Sequence, residues 1–133
     1  MTDYLLDTHT FLWSIFESNR LSLQVHSILS NYDNTIYVSS VTFWEISLKF
    51  ALGKLELEPY TPEELITAAN KLGFKTLCLE AEEAANFYHL PKMLHKDPFD
   101  RMLIWQAISK DLILLSKDEQ FGQYSEYGLK TFW

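Results

Sequence analysis

Short apolar runs alternate with helical segments along the whole chain, and this alternation limits the fold more than any other feature. The runs are rich in aliphatic, β-branched and aromatic residues, which predicts strands. They span residues 4–6, 35–38, 74–79, 112–115 and 129–133. Between them, apolar side chains recur at spacings of three and four, which predicts helices. Because several runs are continuously apolar, we expect a mostly parallel sheet covered on both faces, and hence a three-layer α/β/α fold.

Capping signals place the starts of three helices. Ser39-Ser40 precedes a helix that we expect to end at Gly53, and Thr61-Pro62 and Asp97-Pro98 combine a capping side chain with proline at the first helical position. Further helices are predicted over residues 80–90 and 117–124. The boundaries of the strands and helices are therefore predicted as well as their order.

Size and composition point to an ordinary intracellular domain. The 133 residues are 47% hydrophobic, so we expect one domain, residues 1–133, with a proper core. The single cysteine, Cys78, lies in an apolar run and is expected to be a small buried side chain with no disulfide partner. We find no signal-peptide pattern and no run approaching the ~20 apolar residues that span a bilayer. We therefore expect a cytoplasmic protein.

The chain carries a formal net charge of −7, which argues against nucleic-acid binding through a broad basic surface. It does not argue against a metal-dependent enzyme that acts on phosphates, because bound cations and a few local Lys or Arg side chains can reverse the field at a site. The net charge therefore leaves this class of enzyme open.

Four acidic residues fall at the edge of the predicted sheet where ligands bind. Asp7 follows the first strand, and Asp118 lies shortly after the fourth. Glu45 lies early in the helix after the second strand, and Asp100 lies in the first turn of the helix before the fourth. The carboxyl ends of parallel strands and the N-termini of their crossover helices share this edge. Four converging carboxylates predict a site for a hard divalent cation, Mg²⁺ or Mn²⁺.

Each of these residues also has a purely structural interpretation. Asp7 and Asp118 are suitable N-caps. Glu45 can close a capping box or pair with Lys49 one turn later, and Asp100 can be an acidic first-turn residue favoured by the helix dipole. Taken together the four favour a shared site, because independent caps have no reason to be acidic at one edge when Ser, Thr and Asn cap as well.

Four strings around these acids resemble motifs of the PIN-domain family, and in particular of the VapC-like toxins of bacterial toxin–antitoxin pairs. They keep their order and spacing over essentially the whole chain, and the string His-x-Asp-Pro-Phe-Asp-Arg is the most specific. At residue 116 this chain has Ser where the family more often has Thr, which preserves the hydroxyl. The strings lie at residues 5–13, 43–49 with 53–55, 95–103 and 115–118.

The resemblance implies a PIN-like fold and a metal-dependent endoribonuclease toxin. Its catalytic and metal-binding residues here would be Asp7, Glu45, Asp100 and Asp118, and its cofactor Mg²⁺ or Mn²⁺. Water would attack a phosphodiester in line and leave 5′-phosphate and 3′-hydroxyl ends. A ribonuclease of this kind needs restraint, so the resemblance also implies a cognate antitoxin, and a homodimer is expected because family members usually form one.

Neighbouring polar residues are expected to assist these carboxylates. Asp97, Thr8 and Ser116 are candidates for hydrogen bonds that orient the ligating groups. His9 and His95 are expected to have structural or hydrogen-bonding roles, since metal-assisted hydrolysis does not require a histidine base.

Five cations near the motifs are candidate contacts to RNA phosphates, each of which adds salt-dependent affinity. Each is at least as well interpreted as an ordinary surface charge. They are Lys49, Lys54, Lys96, Arg101 and Lys117.

An antitoxin segment is expected to lie across the helices near Phe11, Trp13 and Trp44 and to place a cationic side chain among the carboxylates. Two other functions remain open. One is a catalytically degenerate PIN domain that serves as a protein- or RNA-binding module. The other is a metal-dependent phosphatase, although a haloacid-dehalogenase-like enzyme would have Asp where His9 stands.

Overall fold

The computed structural model describes residues 2–133. Five strands form one sheet in the order β3-β2-β1-β4-β5, and every neighbouring pair is parallel. The predicted α/β architecture is confirmed, and the sheet is parallel throughout. The strands are β1 (Asp3–Leu6), β2 (Thr35–Ser39), β3 (Lys75–Leu77), β4 (Ile113–Leu115) and β5 (Lys130–Phe132).

Six α-helices connect the strands. Short 3₁₀ segments at Ser18–Arg20, Phe87–His89 and Glu119–Tyr127 complete the described secondary structure. The helices are α1 (Thr8–Phe16), α2 (Leu23–Ser30), α3 (Ser40–Ala51), α4 (Pro62–Lys71), α5 (Ala81–Asn86) and α6 (Pro98–Lys110).

The order of the strands reverses direction at β1. The chain continues from β1 to β2 and β3 on one side, and β4 and β5 lie on the other. In the register, Leu5 of β1 lies between Tyr37 of β2 and Leu114 of β4. In open parallel sheets a crevice forms beyond the carboxyl ends of the strands at such a reversal. The end of β1, where Asp7 stands, is therefore the expected position of a site.

The core consists of two apolar clusters, and β1 contributes to both. Leu6 packs in one cluster with Phe11 and Ile46, and Leu5 packs in the other with Leu103. Successive side chains of a strand point to opposite faces of its sheet, so both faces of β1 are covered. Full burial of each such side chain contributes about 1.5–3 kcal/mol. This packing fixes the end of β1 and the residues that follow it.

Two elements are shorter or tighter than predicted. Residues 80–90 form α5 and then a 3₁₀ turn, and Leu90 is extended. Pro91 explains the extended conformation, because a residue that precedes proline disfavours the helical region. Residues 119–127 form a 3₁₀ helix that ends at Gly128, whose φ of 98° is available to glycine without strain.

Cys78 is exposed, so the prediction of a buried thiol is wrong. It follows β3, the strand at one margin of the sheet, where a side chain has fewer neighbours to cover it. Among the helices of residues 2–133, none combines the length and apolar character needed to cross a membrane.

Candidate active site

Asp7 joins the end of β1 to the start of α1. Its backbone N–H donates to the carbonyl of Leu115 over 3.2 Å, which ties the ends of β1 and β4 together. Its carboxylate accepts from the N–H of Thr10 over 2.8 Å and so caps α1. The capping interpretation and the sheet-edge position are both correct, and Asp7 is almost fully buried.

Burial raises the pKa of Asp7 above its usual value, although hydrogen bonding by Ser116 and Thr10 works against the rise. A buried carboxylate with a raised pKa is stabilised in its charged form by a nearby cation. This is a property of metal-binding and catalytic carboxylates, and also of some structural ones.

Glu45 points from α3 toward the start of α1. Its Oε1 accepts the hydroxyl proton of Thr8 over 2.6 Å, and its Oε2 accepts from the Lys49 ammonium one turn later. Burial disfavours the charge of Lys49, but the hydrogen bond and the charge of Glu45 outweigh it and raise the pKa of Lys49. The expected contact of Thr8 with a carboxylate is present, and so is the expected pair of Glu45 with Lys49.

Asp100 occupies the first turn of α6, where its backbone N–H donates to the capping carboxylate of Asp97 over 2.9 Å. Its own Oδ2 lies 2.9 Å from Nε2 of His95. Burial and the charge of Asp97 raise the pKa of Asp100 to about 6 despite the hydrogen bond to His95, and the charge of Glu45 adds to the rise. Glu45 is therefore close enough to Asp100 for its charge to act on the Asp100 carboxylate. Asp97 acts on Asp100 in two ways, through its charge and by accepting the backbone N–H of Asp100.

Asp118 caps the last 3₁₀ helix by accepting from the N–H of Gln120 over 2.9 Å, and its own N–H donates to the Ser116 hydroxyl over 3.1 Å. It is exposed and lines a cavity of about 540 Å³ together with Asp7. Ser116 therefore interacts with both aspartates. Its hydroxyl accepts from the backbone N–H of Asp118, and its hydrogen bond to the Asp7 carboxylate lowers the pKa of Asp7. The remaining residues of the cavity wall are His9, Trp13, Lys117, Glu119 and Gln120.

The donor atoms of this edge suit a divalent cation. His95, Asp100 and Asp118 each offer one atom, and these atoms lie within 4.8 Å of one another. Asp7 shares the cavity with Asp118, and Glu45 acts electrostatically on Asp100. Carboxylate oxygens at this density repel one another, and a hard cation removes that repulsion.

The candidate RNA contacts have different surroundings. Lys117 is exposed in the cavity wall, Lys54 and Lys96 are exposed elsewhere, and Lys49 is paired within the site.

Arg101 is used within the fold. Its guanidinium donates to the carbonyls of Leu90 and Pro91 and lies 5.1 Å from the centre of the Phe87 ring. These contacts hold the segment before α6, and a contact of Arg101 with RNA stays a prediction.

Two aromatic residues of the expected antitoxin surface differ sharply in exposure. Phe11 is 0% exposed and packs edge-on against Phe43 in the core, so it offers no surface to the antitoxin segment that we expect near it. Trp44 is 63% exposed. Its ring packs edge-to-face with that of Phe99, and the two ring centres are 5.0 Å apart. Trp13 is half-buried and lies in the cavity wall.

The sequence predicted a structural or hydrogen-bonding role for His95, but it did not single out Gln120, which is the second partner of the His95 ring. His95 Nδ1 lies 2.8 Å from Oε1 of Gln120, and the ring stands edge-on to Phe121 at 5.3 Å. The two residues are 25 positions apart. The available signal was the position of His95 in the same string as Asp100 and of Gln120 two residues after Asp118.

The chain is similar in sequence to a VapC ribonuclease and in structure to VapBC complexes. Ribonuclease VapC22 from Mycobacterium tuberculosis (strain ATCC 25618 / H37Rv) is 25% identical over 133 residues, and the match covers 100% of both chains. The DNA-bound VapBC structure from Salmonella typhimurium is similar with a TM-score of 0.68 and 17% identity over 99% of this chain and 98% of that one. The structure of VapBC2 from Rickettsia felis, bound to a promoter DNA fragment, is similar with a TM-score of 0.67 and 16% identity over 98% of both chains.

At these identities the solved structures establish the fold alone. The family model of the PIN domain matches residues 4–127. The resemblance found in the four sequence strings is thereby confirmed, and the match extends over nearly all of the described strands and helices. This chain belongs to the PIN-domain family.

Proposed function

We propose that this protein is a metal-dependent endoribonuclease, the toxin of a toxin–antitoxin pair. The proposal is supported by four acidic residues at the edge of the sheet where the order of the strands reverses: two share a cavity, and the charge of a third acts on the fourth. Two are almost fully buried, and one has a pKa raised to about 6 by burial and by its neighbours' charges. They are Asp7, Glu45, Asp100 and Asp118. The similarity to a mycobacterial ribonuclease supports RNA as the substrate.

Asp7, Asp100 and Asp118 are proposed to hold Mg²⁺ or Mn²⁺, which prefer oxygen ligands. When bound, such a cation would polarise a phosphoryl oxygen and lower the pKa of the attacking water toward neutrality. The exposed position of Asp118 on the cavity and the buried position of Asp7 fit a site that opens to substrate on one side only.

Glu45 is proposed to orient the attacking water or to complete the metal site. Its carboxylate is held by the Thr8 hydroxyl and the Lys49 ammonium, so its direction is determined before substrate binds. Ser116 holds Asp118 through its backbone, and Asp97 holds the first turn of α6. Thr8, Ser116 and Asp97 position the carboxylates and need no contact with RNA.

Lys117 is the proposed phosphate contact nearest the carboxylates, because it lines the same cavity as Asp7 and Asp118. Lys54 and Lys96 are exposed and available for more distant phosphates. Each contact that is made should contribute to the salt dependence of RNA binding.

The proposed partner is a cognate antitoxin, and the similar VapBC structures support this. Trp44 and Leu48 are exposed on one face of α3 and offer apolar area to such a partner. The net charge of −7 favours a partner segment that carries cations. We also propose a homodimer and a cytoplasmic location, where RNA is available.

Induced expression followed by mapping of RNA ends tests the proposal. We expect new 5′-phosphate and 3′-hydroxyl ends with the wild-type protein and none with Asp7→Asn. Asp111→Asn serves as a matched control, because Asp111 is an exposed carboxylate paired with Lys130 away from the site. A binding module would produce no new ends with either protein, and a phosphatase would release phosphate from monoesters without cutting the chain.

A further inference from the structure

His95 lies among the carboxylates although it is not one of the four acids. Its Nε2 is 2.9 Å from Oδ2 of Asp100, and its donor atom lies within 4.8 Å of those of Asp100 and Asp118. Nothing in the proposed hydrolysis uses this ring. The ring therefore shares the space of the donor atoms of Asp100 and Asp118 without a role in that hydrolysis.

The second ring nitrogen indicates what the first can do. Nδ1 lies 2.8 Å from Oε1, the side-chain amide oxygen of Gln120. An amide oxygen only accepts hydrogen bonds. With this amide orientation Nδ1 is the donor to Gln120, so Nε2 is the nitrogen that faces Asp100 and can offer a lone pair to a metal that displaces the proton between them. Metal-binding histidines have this arrangement, in which the other ring N–H is donated to a fixed acceptor.

The spacing of the atoms agrees with shared ligation. Two ligands about 2.1 Å from one octahedral ion at right angles to each other lie about 3.0 Å apart. The 2.9 Å between His95 Nε2 and Asp100 Oδ2 is close to this value. Asp118 is exposed, so its side chain has room to adjust toward the other two.

The ring is held in place before any ligand arrives. The His95 side chain is 9% exposed and stands perpendicular to Phe121. Its backbone carbonyl accepts from the Tyr124 hydroxyl over 3.4 Å. A ligand that is fixed in this way loses little conformational freedom when it binds.

We propose that His95 is a nitrogen ligand of the divalent metal, together with Asp100 and Asp118, and that it makes the site select Mn²⁺ over Mg²⁺. The inference rests on the proposed metal-dependent function. Carboxylates serve both ions, but an imidazole favours transition metals, and Mg²⁺ prefers oxygen. An all-carboxylate site lacks this source of selectivity.

The competing role is a structural one, in which His95 donates Nε2–H to Asp100 and merely orients it. His95→Gln distinguishes the two, because a glutamine amide also donates a hydrogen bond but supplies no imidazole nitrogen. His26→Gln is a matched control, since His26 is exposed on α2.

The test is pulsed electron paramagnetic resonance of the Mn²⁺-loaded full-length protein, with titration of Mn²⁺ and Mg²⁺ into each variant. We expect a ¹⁴N coupling from a directly bound imidazole in the wild type and in His26→Gln, and none in His95→Gln. We also expect His95→Gln to lose at least about tenfold in Mn²⁺ affinity, and much less in Mg²⁺ affinity.

A wild-type spectrum without imidazole coupling overturns the inference, and so does coupling that persists in His95→Gln. Equal losses of affinity for the two ions overturn the selectivity. If Mn²⁺ still binds and RNA is still cut in those cases, the proposed function stands without His95 as a ligand. If no divalent metal binds and no RNA is cut, the proposed function fails as well.

Discussion

Asp100→Asn should stabilise the metal-free protein, although it removes a residue of the active site. The carboxylate of Asp100 is three-quarters buried and is surrounded by the charges of Asp97 and Glu45. Asparagine has nearly the same shape and no charge, and the N–H that Asp97 accepts belongs to the backbone and remains. The substitution therefore removes a repulsion and keeps the helix cap.

The expected size follows from the pKa of Asp100. A tenfold change in proton affinity is about 1.4 kcal/mol, so a rise from 3.8 to about 6 destabilises the ionised folded state by about 3 kcal/mol. Because the folded state holds this proton more tightly than the unfolded state, the contribution to stability falls as pH rises from about 4 to about 6. We expect a difference of about 3 kcal/mol at pH 7.5 and about 0.5 kcal/mol at pH 4.

Urea unfolding in EDTA at the two pH values measures this effect. Asp111→Asn is the control, because it changes the net charge equally at an exposed ion pair worth less than about 1 kcal/mol. Saturating Mn²⁺ should stabilise the wild type by about 2.7 kcal/mol at a hundredfold excess over Kd and should stabilise Asp100→Asn less. If Asp100→Asn is no more stable than the wild type at pH 7.5 in EDTA, the Asp100 carboxylate is not destabilised by its neighbours.

Three further predictions concern two side chains of the site and one side chain of the core. Thr8→Val leaves the buried Glu45 without a hydroxyl donor, so it should lower the free energy of unfolding in urea by about 1–3 kcal/mol and slow RNA cleavage. Thr8→Ser should retain the stability and the cleavage rate. Equal behaviour of the two variants would argue against the hydrogen bond. Lys49→Met removes a competing cation, so Mn²⁺ affinity measured by calorimetry should rise several-fold; a fall would show that Lys49 supports the metal site. Leu114→Ala should cost about 2–5 kcal/mol because Leu114 is fully buried, and a loss below about 1 kcal/mol would contradict this packing.

The order of the elements was predictable because the chain's local signals agree with its tertiary structure. β1 and β4 are short apolar runs that are covered on both faces, as continuous apolarity indicates. Thr61 caps α4 as predicted, and Glu64 completes a capping box with it. Where elements are shorter than predicted, the causes are local features such as Pro91, whose effect on the preceding residue shifts a boundary.

For Asp7 and Asp118 the predicted capping role is confirmed, and it is compatible with the proposed metal site. Asp7 and Asp118 are N-caps, and their carboxylates also line one cavity. A cap at the carboxyl edge of a parallel sheet already stands where ligands bind, so one residue can serve both purposes. The structure adds that Asp97 caps α6 while its charge raises the pKa of Asp100.

Other features depended on tertiary contacts that have no local signal. The His95–Gln120 contact forms only when the segment before α6 packs beside the last 3₁₀ helix, and Arg101 is directed to carbonyls ten and eleven residues earlier. The exposure of Cys78 and the burial of Phe11 likewise follow from the position of each element in the sheet and its layers. Apolar composition around a residue does not by itself determine its exposure.

The carboxylates beyond the ends of β1 and β4 are proposed to bind a divalent cation. Calorimetric titration of Mn²⁺ into the wild type, Asp7→Asn and the control Asp111→Asn tests this binding most directly, with thermal unfolding to verify that each variant is folded. We expect Asp7→Asn to bind Mn²⁺ at least about tenfold more weakly than the wild type and Asp111→Asn to be unchanged. Equal affinity of all three folded proteins would contradict the account.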